Sequence, residues 1–236
     1  MWLELQWRNF SDQFYDNFIK DNRWRYMTNG LVNTLTITVV ALALGLAIGF
    51  VIAYIRVTHD NTGKLRPFNS IARLYLTVIR GTPALVQLLF IYFVIFANSS
   101  LPKILVAALS FGINSGAYIA EIFRGGMMSV DKGQSEAGRS LGLNYGQTMW
   151  RIIMPQAVKN ALPALGNEFI TLLKETSIAG FVAVQELTKG ADIIRSRTYN
   201  AFMPLTAAAV IYLGIVLILE KLLGALEGRL RRSDHR

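Results

Sequence analysis

Apolar residues run in long uninterrupted blocks along this chain instead of alternating with polar ones. Leu31 to Ile55 contains no Asp, Glu, Lys, Arg or His. At about 1.5 Å per helical residue that block exceeds a hydrocarbon core of roughly 30 Å. Gly81 to Leu101 is equally free of charge, Ile104 to Ala120 follows after Pro102 and Lys103, and Ala201 to Leu219 forms a further run. Ala161 to Val184 reads as a span as well, although it holds Glu168, Lys174 and Glu175. Ionisable groups at that depth are costly unless they face protein or water, so these three imply a bundle interior. The pattern predicts an all-α polytopic membrane bundle of five transmembrane helices, at residues 29–56, 70–98, 102–124, 157–184 and 201–224. A soluble helical core has little use for four uncharged runs of this size.

Composition agrees: 53% of the residues are hydrophobic and 17% charged, against about 25% charged in an ordinary soluble domain. A net charge of +9 could suggest nucleic acid, but its distribution argues against that partner. Arg56, Lys64 and Arg66 fall between the first two spans, Arg124, Lys132, Arg139, Arg151 and Lys159 between the third and fourth, and Arg229, Arg231, Arg232 and Arg236 in the tail. Those segments face the cytoplasm by the positive-inside rule, and an odd number of spans then leaves the amino terminus outside. Residues 1–26 carry Trp2, Trp7, Phe10, Phe14, Tyr15, Phe18 and Trp24 among Asp, Asn and Arg. This suits an amphipathic segment at the interface, with a disordered tail as the other reading. No short apolar core with a small-residue cleavage site occurs there, so no removable signal peptide is expected. The remaining division is a membrane domain over 27–228 and a basic cytoplasmic tail over 229–236.

There is no cysteine, and His59 and His235 are the two histidines. No thiolate or histidine metal site, no His-based triad and no resident cofactor is therefore expected. A phosphate-cradling Gly-rich loop ending in Lys-Ser or Lys-Thr is also missing, so any ATP-driven work needs a separate ATPase. The competing class, an ion-coupled secondary transporter, would favour internal repeats with matched broken helices, and no repeat is visible.

The loop at 128–155 has helical structure of its own. Asp131 suits an N-cap with Gln134 returning the bond, a helix follows over Lys132 to Leu141, and Gly142 supplies a left-handed ending. Asn144 with Gln147 repeats the cap pattern and restarts a helix, and Pro155 is expected to bend its entry into the fourth span. Glu136, Ala137 and Gly138, three residues, Gly142, nine residues, then Ile152, Ile153, Met154 and Pro155 match, in spacing, a Glu-Ala-Ala…Gly…Ile-x-Leu-Pro signature. The chain thereby resembles the permeases of binding-protein-dependent ABC importers, with Gly138 and Met154 as departures of similar bulk. Arg80 to Gln87, Asn114 to Arg124, Pro163 to Glu168 and Lys174 to Ser177 look like segments of permeases for polar amino acids, and the likeness runs over residues 28–232.

That resemblance implies a type I ABC importer permease fold in a bacterial inner membrane. Its partners would be two ABC ATPases that hold ATP and Mg, a second permease copy or paralogue, an extracytoplasmic substrate-binding protein, an amino-acid substrate and surrounding lipid. Glu136, Ala137, Gly138, Ser140, Gly142 and Pro155 would couple the chain to the ATPase through a short helix. Small side chains at Ala137, Gly138 and Ser140 would let that helix lie close in a groove.

A polar solute must meet polar groups near the midplane. Asn114 lies roughly 18 Å from Pro102 along the third span, and Asn167 and Glu168 roughly 18 to 20 Å from Pro155 along the fourth. Asn114, Tyr118 and Glu121 share a helix face with Arg124 three residues on, and Glu168 sits on a comparable stripe with Asn167 beside it. These six are the candidate substrate site, the carboxylates suiting an ammonium and Arg124 a carboxylate. Two readings stand side by side, because Asn114 and Asn167 equally suit interhelical hydrogen bonds and Glu121 with Arg124 an intrahelical ion pair. Lys174 and Glu175 suit an outer gate or a structural pair, and Thr82 and Pro83 a break in the second span. Two acidic residues lean toward a basic amino acid, and Arg124 and Lys174 lean the other way.

Overall fold

The computed structural model describes residues 9–234, and no strand occurs among them. Trp2, Trp7, Arg8 and the last two residues of the basic tail lie outside the described residues. A helical hook through Tyr15–Ile19 and Lys20–Asn22 leads into α1, Trp24–Thr62. Helix α1 has 39 residues and ends at Gly63, whose φ of 69° lets its N–H return to the carbonyl of His59. Helix α2, Arg66–Gly81, carries Pro67 in its first turn, and after Thr82 and Pro83 the chain turns by 109° into α3, Ala84–Phe90, which continues as a wide turn to Ile95. Helix α4 covers Lys103–Met128, α5 Lys132–Ser140, α6 Tyr145–Thr148 and α7 Met154–Glu175. A tight helical turn over Thr176–Val182 then leads to α8, Leu187–Thr198, and finally to α9, Phe202–Asp234.

Three helices, α1, α4 and α9, are long and apolar enough to cross a membrane, and the bent α2–α3 pair makes a fourth candidate. Helix α7 falls short of that apolarity because Asn160, Asn167, Glu168 and Lys174 interrupt it. Helix α4 is the central post, with 67% of its most apolar window buried against 28% for α1 and 17% for α9. It packs on α1 through small residues: a Cβ on Gly49 would lie 2.6 Å from Ile119, and one on Gly112 2.7 Å from Leu44. Dispersion forces set contact in lipid, so removing side chains is what brings two backbones together. Ala53, Phe123, Met127, Ile153 and Ala157 fill the half of the bundle nearer the loop between α4 and α7; Ile37, Leu88, Phe111, Leu172 and Val182 fill the opposite half.

The end of the bundle opposite that loop is tied across the sequence. Glu186 is fully buried, accepts the N–H groups of Thr188 and Lys189 at the start of α8, and receives the hydroxyl of Tyr212 from α9. The N–H of Leu187 donates to Thr34 on α1, 3.1 Å away. Thr198 at the end of α8 donates to Asn17 of the hook, 2.8 Å away, so the amino-terminal segment is fastened to the last loop.

Candidate functional site

Helix α4 presents its polar residues in two directions. Asn114 is 4% exposed and donates its amide to Gln87 Oε1 on α3 at 2.9 Å. Tyr118, one turn on, is 39% exposed, and the guanidinium of Arg80 at the end of α2 lies 5.9 Å from its ring centre. Arg80 also approaches Glu121 at 3.7 Å, and Glu121 receives both Nε and Nη2 of Arg124, at 3.0 and 2.9 Å. Beside this cluster opens a cavity of about 500 Å³ lined by Arg56, Arg73, Thr77, Arg80 and Glu121. Its wall is cationic with one carboxylate, an arrangement able to offer a zwitterion a partner for each charge.

Helix α7 supplies the opposite contribution. Glu168 accepts the hydroxyl of Ser115 at 2.7 Å and so joins α7 to α4. Asn167 is exposed and lies on an open stripe with Ala164, Thr171 and Lys174. The six sequence-derived residues are therefore not gathered into one pocket. Tyr118, Glu121 and Arg124 meet in one cluster, Asn114 and Glu168 are engaged between helices, and Asn167 stands on a separate open face. Sequence reasoning missed Arg80, Gln87 and Ser115 as members. Arg80 had a signal in the seven-residue steps of Arg66, Arg73 and Arg80, while Gln87 is a lone polar residue in an apolar run and Ser115 sits beside the more conspicuous Asn114.

A second cavity, of about 340 Å³, lies at the carboxyl-terminal end of α7 between Lys174, Ser177, Thr188, Ala208 and Tyr212. On the nearby helix α8, Lys189 and Arg195 hydrogen-bond Asp192 and hold its carboxyl below the usual carboxylate range. Burial pushes the Glu186 carboxyl up, against the lowering effect of the donors from Thr188, Lys189 and Tyr212. Among the described residues no group of three or more His, Asp or Glu side chains is placed to hold a metal ion.

The loop between α4 and α7 forms a compact projection. Asp131 caps α5 through the N–H of Gly133, but Gln134 does not close the box; its Oε1 faces Gln156 instead, at 3.4 Å. Gly142 has the expected positive φ, 78°, and Asn144 and Gln147 make the reciprocal cap of α6. Glu136, Ala137, Ser140, Gly142 and Pro155 are exposed, and Leu141 at the tip is 78% exposed. Gly138 is buried and turns inward, where a Cβ would lie 2.8 Å from Thr148, so its smallness serves the packing of the loop on itself. The chain remains helical through the entry to α7 at Pro155. A wide helical turn over Met149–Ile153 carries α6 into α7, and Pro155 falls in the first turn of α7, where a missing N–H is tolerated.

The family model of the binding-protein-dependent transport system inner membrane component matches residues 45–232. The arginine transport system permease protein ArtQ of Bacillus subtilis is 37% identical over 217 residues, which is 89% of this chain and 94% of that protein. The glutamine transport system permease protein GlnP of Escherichia coli K12 is 41% identical over 166 residues, 69% of this chain and 76% of the relative. A crystal structure of an amino acid ABC transporter with histidines superposes with a TM-score of 0.79 at 42% identity, over 87% of this chain and 94% of that one. An inward-facing structure of the MetNI methionine ABC transporter gives a TM-score of 0.73 at 19% identity over 87% and 96%, a likeness of fold. The chain belongs to the family of inner membrane components of binding-protein-dependent transport systems. Its architecture is the type I ABC importer permease fold.

Proposed function

We propose that this chain is the membrane-spanning permease subunit of an importer for polar amino acids, and that it forms the translocation path while a separate ATPase subunit supplies the energy. The observation that carries this reading is a polar face within an apolar bundle. Tyr118, Glu121, Arg124 and Arg80 line one side, and the open stripe with Asn167 lies on a helix continuous with the exposed loop at 132–142. In this reading Leu141, Glu136, Ala137, Ser140 and Gly142 sit against the ATPase, which holds ATP and Mg, and closure of two ATPases moves α7 as a semi-rigid body. A second copy or a paralogue completes the path, and an extracytoplasmic binding protein delivers the solute. The amino terminus then lies outside and the carboxyl terminus in the cytoplasm.

The solute class follows from the paired charges. Glu121 suits an ammonium, and Arg80 and Arg124 suit a carboxylate, so an amino acid meets partners at both ends. The assay is uptake into liposomes of the chain assembled with its ATPase and binding protein, using labelled arginine, glutamine and cystine. Uptake of one of these that requires ATP is the expected result. Gly142→Trp, placed at an exposed left-handed position, should abolish uptake while the chain still inserts; unimpaired uptake by this variant would overturn the docking assignment.

A further inference from the structure

The break between α2 and α3 leaves specific backbone groups without their helical partners. Helix α2 ends at Gly81, and Pro83 has no N–H to give to the carbonyl of Ile79 four residues back. Within a membrane such carbonyls must be satisfied by protein or water in a cavity. The side chain of Gln87 does this: its Nε2 lies 2.7 Å from the Ile79 carbonyl, 3.0 Å from the Thr82 carbonyl and 2.7 Å from Thr82 Oγ1. Thr82 in turn donates its own hydroxyl proton to the carbonyl of Val78 at 2.8 Å, which leaves its oxygen free to accept. The other end of the same amide, Gln87 Oε1, accepts from Asn114 on α4 at 2.9 Å. Both amide residues are buried, at 9% and 4% exposure.

One side chain therefore stands in for the missing proline donor, joins the two limbs of the break and fastens them to the central helix. Four and seven residues beyond Asn114 on the same face of α4, Tyr118 and Glu121 hold Arg80 on the other side of the break. The two holds differ in kind. The Asn114–Gln87 bond is buried and saturated, whereas Arg80 approaches Glu121 at 3.7 Å with 47% of its side chain exposed.

We propose that Gln87 is a positioning residue for transport: clamped by Asn114, it fixes the angle between α2 and α3 and thereby sets Arg80 opposite Tyr118 and Glu121. Asn114, on this account, binds Gln87 and not the solute. Arg80 is the exchangeable hold, open to a passing charge, and the Gln87 clamp is the fixed one about which α2 is oriented. The inference rests on the reading of the chain as a permease for its consequence in transport, but the geometry of the clamp is testable alone.

The experiment uses two readouts on the full chain in its assembly with the ATPase and binding protein. Leu74→Cys on α2 and Phe93→Cys beyond α3 are both at exposed positions on either side of the break, and the chain has no other cysteine. Nitroxide labels there report the distance across the break by pulsed electron resonance. A narrow distance distribution is expected with Gln87 present, and a broadened, displaced one in Gln87→Leu. In uptake, Gln87→Leu should lower turnover about tenfold, the scale of leaving buried carbonyls unpaired, and should change KM in the same direction as Arg80→Ala, because the clamp reaches the solute through Arg80. Thr82→Val and Asn114→Leu each remove one side of the clamp and keep the test open if Gln87→Leu does not insert. Both should broaden the distance distribution. An inserted variant of this set with the parent distance distribution, or with parent turnover and parent KM, overturns the proposal. A parent assembly without ATP-driven amino-acid uptake would instead remove the permease reading, and the distance measurement would still judge the clamp.

Discussion

Asn114 and Ser115 are neighbours in sequence, yet they serve opposite sides of α4. The first faces Gln87 on α3 and the second donates to Glu168 on α7, 2.7 Å away. A 100° step between consecutive helical residues is enough to separate the two tasks. Ser115→Ala removes the hydrogen-bond donor that the structure gives the half-buried Glu168 carboxyl, and a loss of about 1–3 kcal/mol is expected. Thermal unfolding of the detergent-purified chain measures it. Pairing the change with Glu168→Leu should recover part of the loss, since removing both partners costs less than stranding one; equal or additive losses would deny the coupling. Sequence reasoning placed Glu168 in the bundle interior because a carboxylate in an apolar helix has nowhere else to go. It could not name Ser115, since 53 residues separate the pair and Ser110 and Tyr118 also place hydroxyls on α4. Gly138 carries the same lesson in reverse: smallness was legible, but the surface it approaches, Thr148, depended on how the loop folds back.

Caps and breaks were the legible features at the scale of elements, because they follow from local backbone chemistry. Gly142, the Asn144–Gln147 box and the interruption at Thr82 and Pro83 are found where composition put them. Pro155 was read as the cause of a bend; the chain is helical on both sides of it, with a wide turn over Met149–Ile153 immediately before. Helix α8 was passed over entirely, being short and polar, although Glu186 three residues before Lys189 has the form of an N-cap. That cap joins α8, α9 and α1, and Glu186→Ala strands two backbone N–H groups and the Tyr212 hydroxyl. A destabilisation of about 2 kcal/mol is expected, with a lowered melting temperature as its measure, while Glu186→Gln should lose less because its oxygen still accepts. The pH dependence has a definite sign. Burial raises the folded-state pKa of Glu186 above its ordinary value, so its contribution is fullest below the ordinary carboxylate range and declines as pH rises through the folded pKa. Glu186→Gln should therefore flatten the stability profile on the alkaline side of that range; an unchanged slope would mean that another group sets it.

At the scale of the whole molecule the exposed faces differ in chemistry, and that difference assigns their surroundings. Helix α1 exposes Val32, Val39 and Val51, and α9 exposes Val210, Leu213, Leu217 and Ile218, surfaces suited to lipid. Helix α7 instead exposes Asn167, Thr171 and Lys174 at spacings of four and three. A lysine held toward hydrocarbon costs about 2.5–3.5 kcal/mol on insertion scales, so this stripe must face water or a second chain. Hydropathy suggested five spans, of which α1, α4, α9 and the bent α2–α3 pair are apolar enough to cross a membrane, whereas α7 is too polar to qualify; the 109° size of the bend at Thr82 and Pro83 is visible in the packing alone. The assignment of faces can be checked directly because the natural chain contains no cysteine. Asn167→Cys and Thr171→Cys, in the assembled transporter, should react with a charged, water-soluble thiol reagent, and added amino-acid substrate should slow the reaction. Val39→Cys and Leu213→Cys should stay unreactive to it and accept an apolar maleimide. Equal reactivity of the two sets toward the charged reagent would mean that α7 does not line an aqueous path, and the stripe would then belong to a dry contact between two chains.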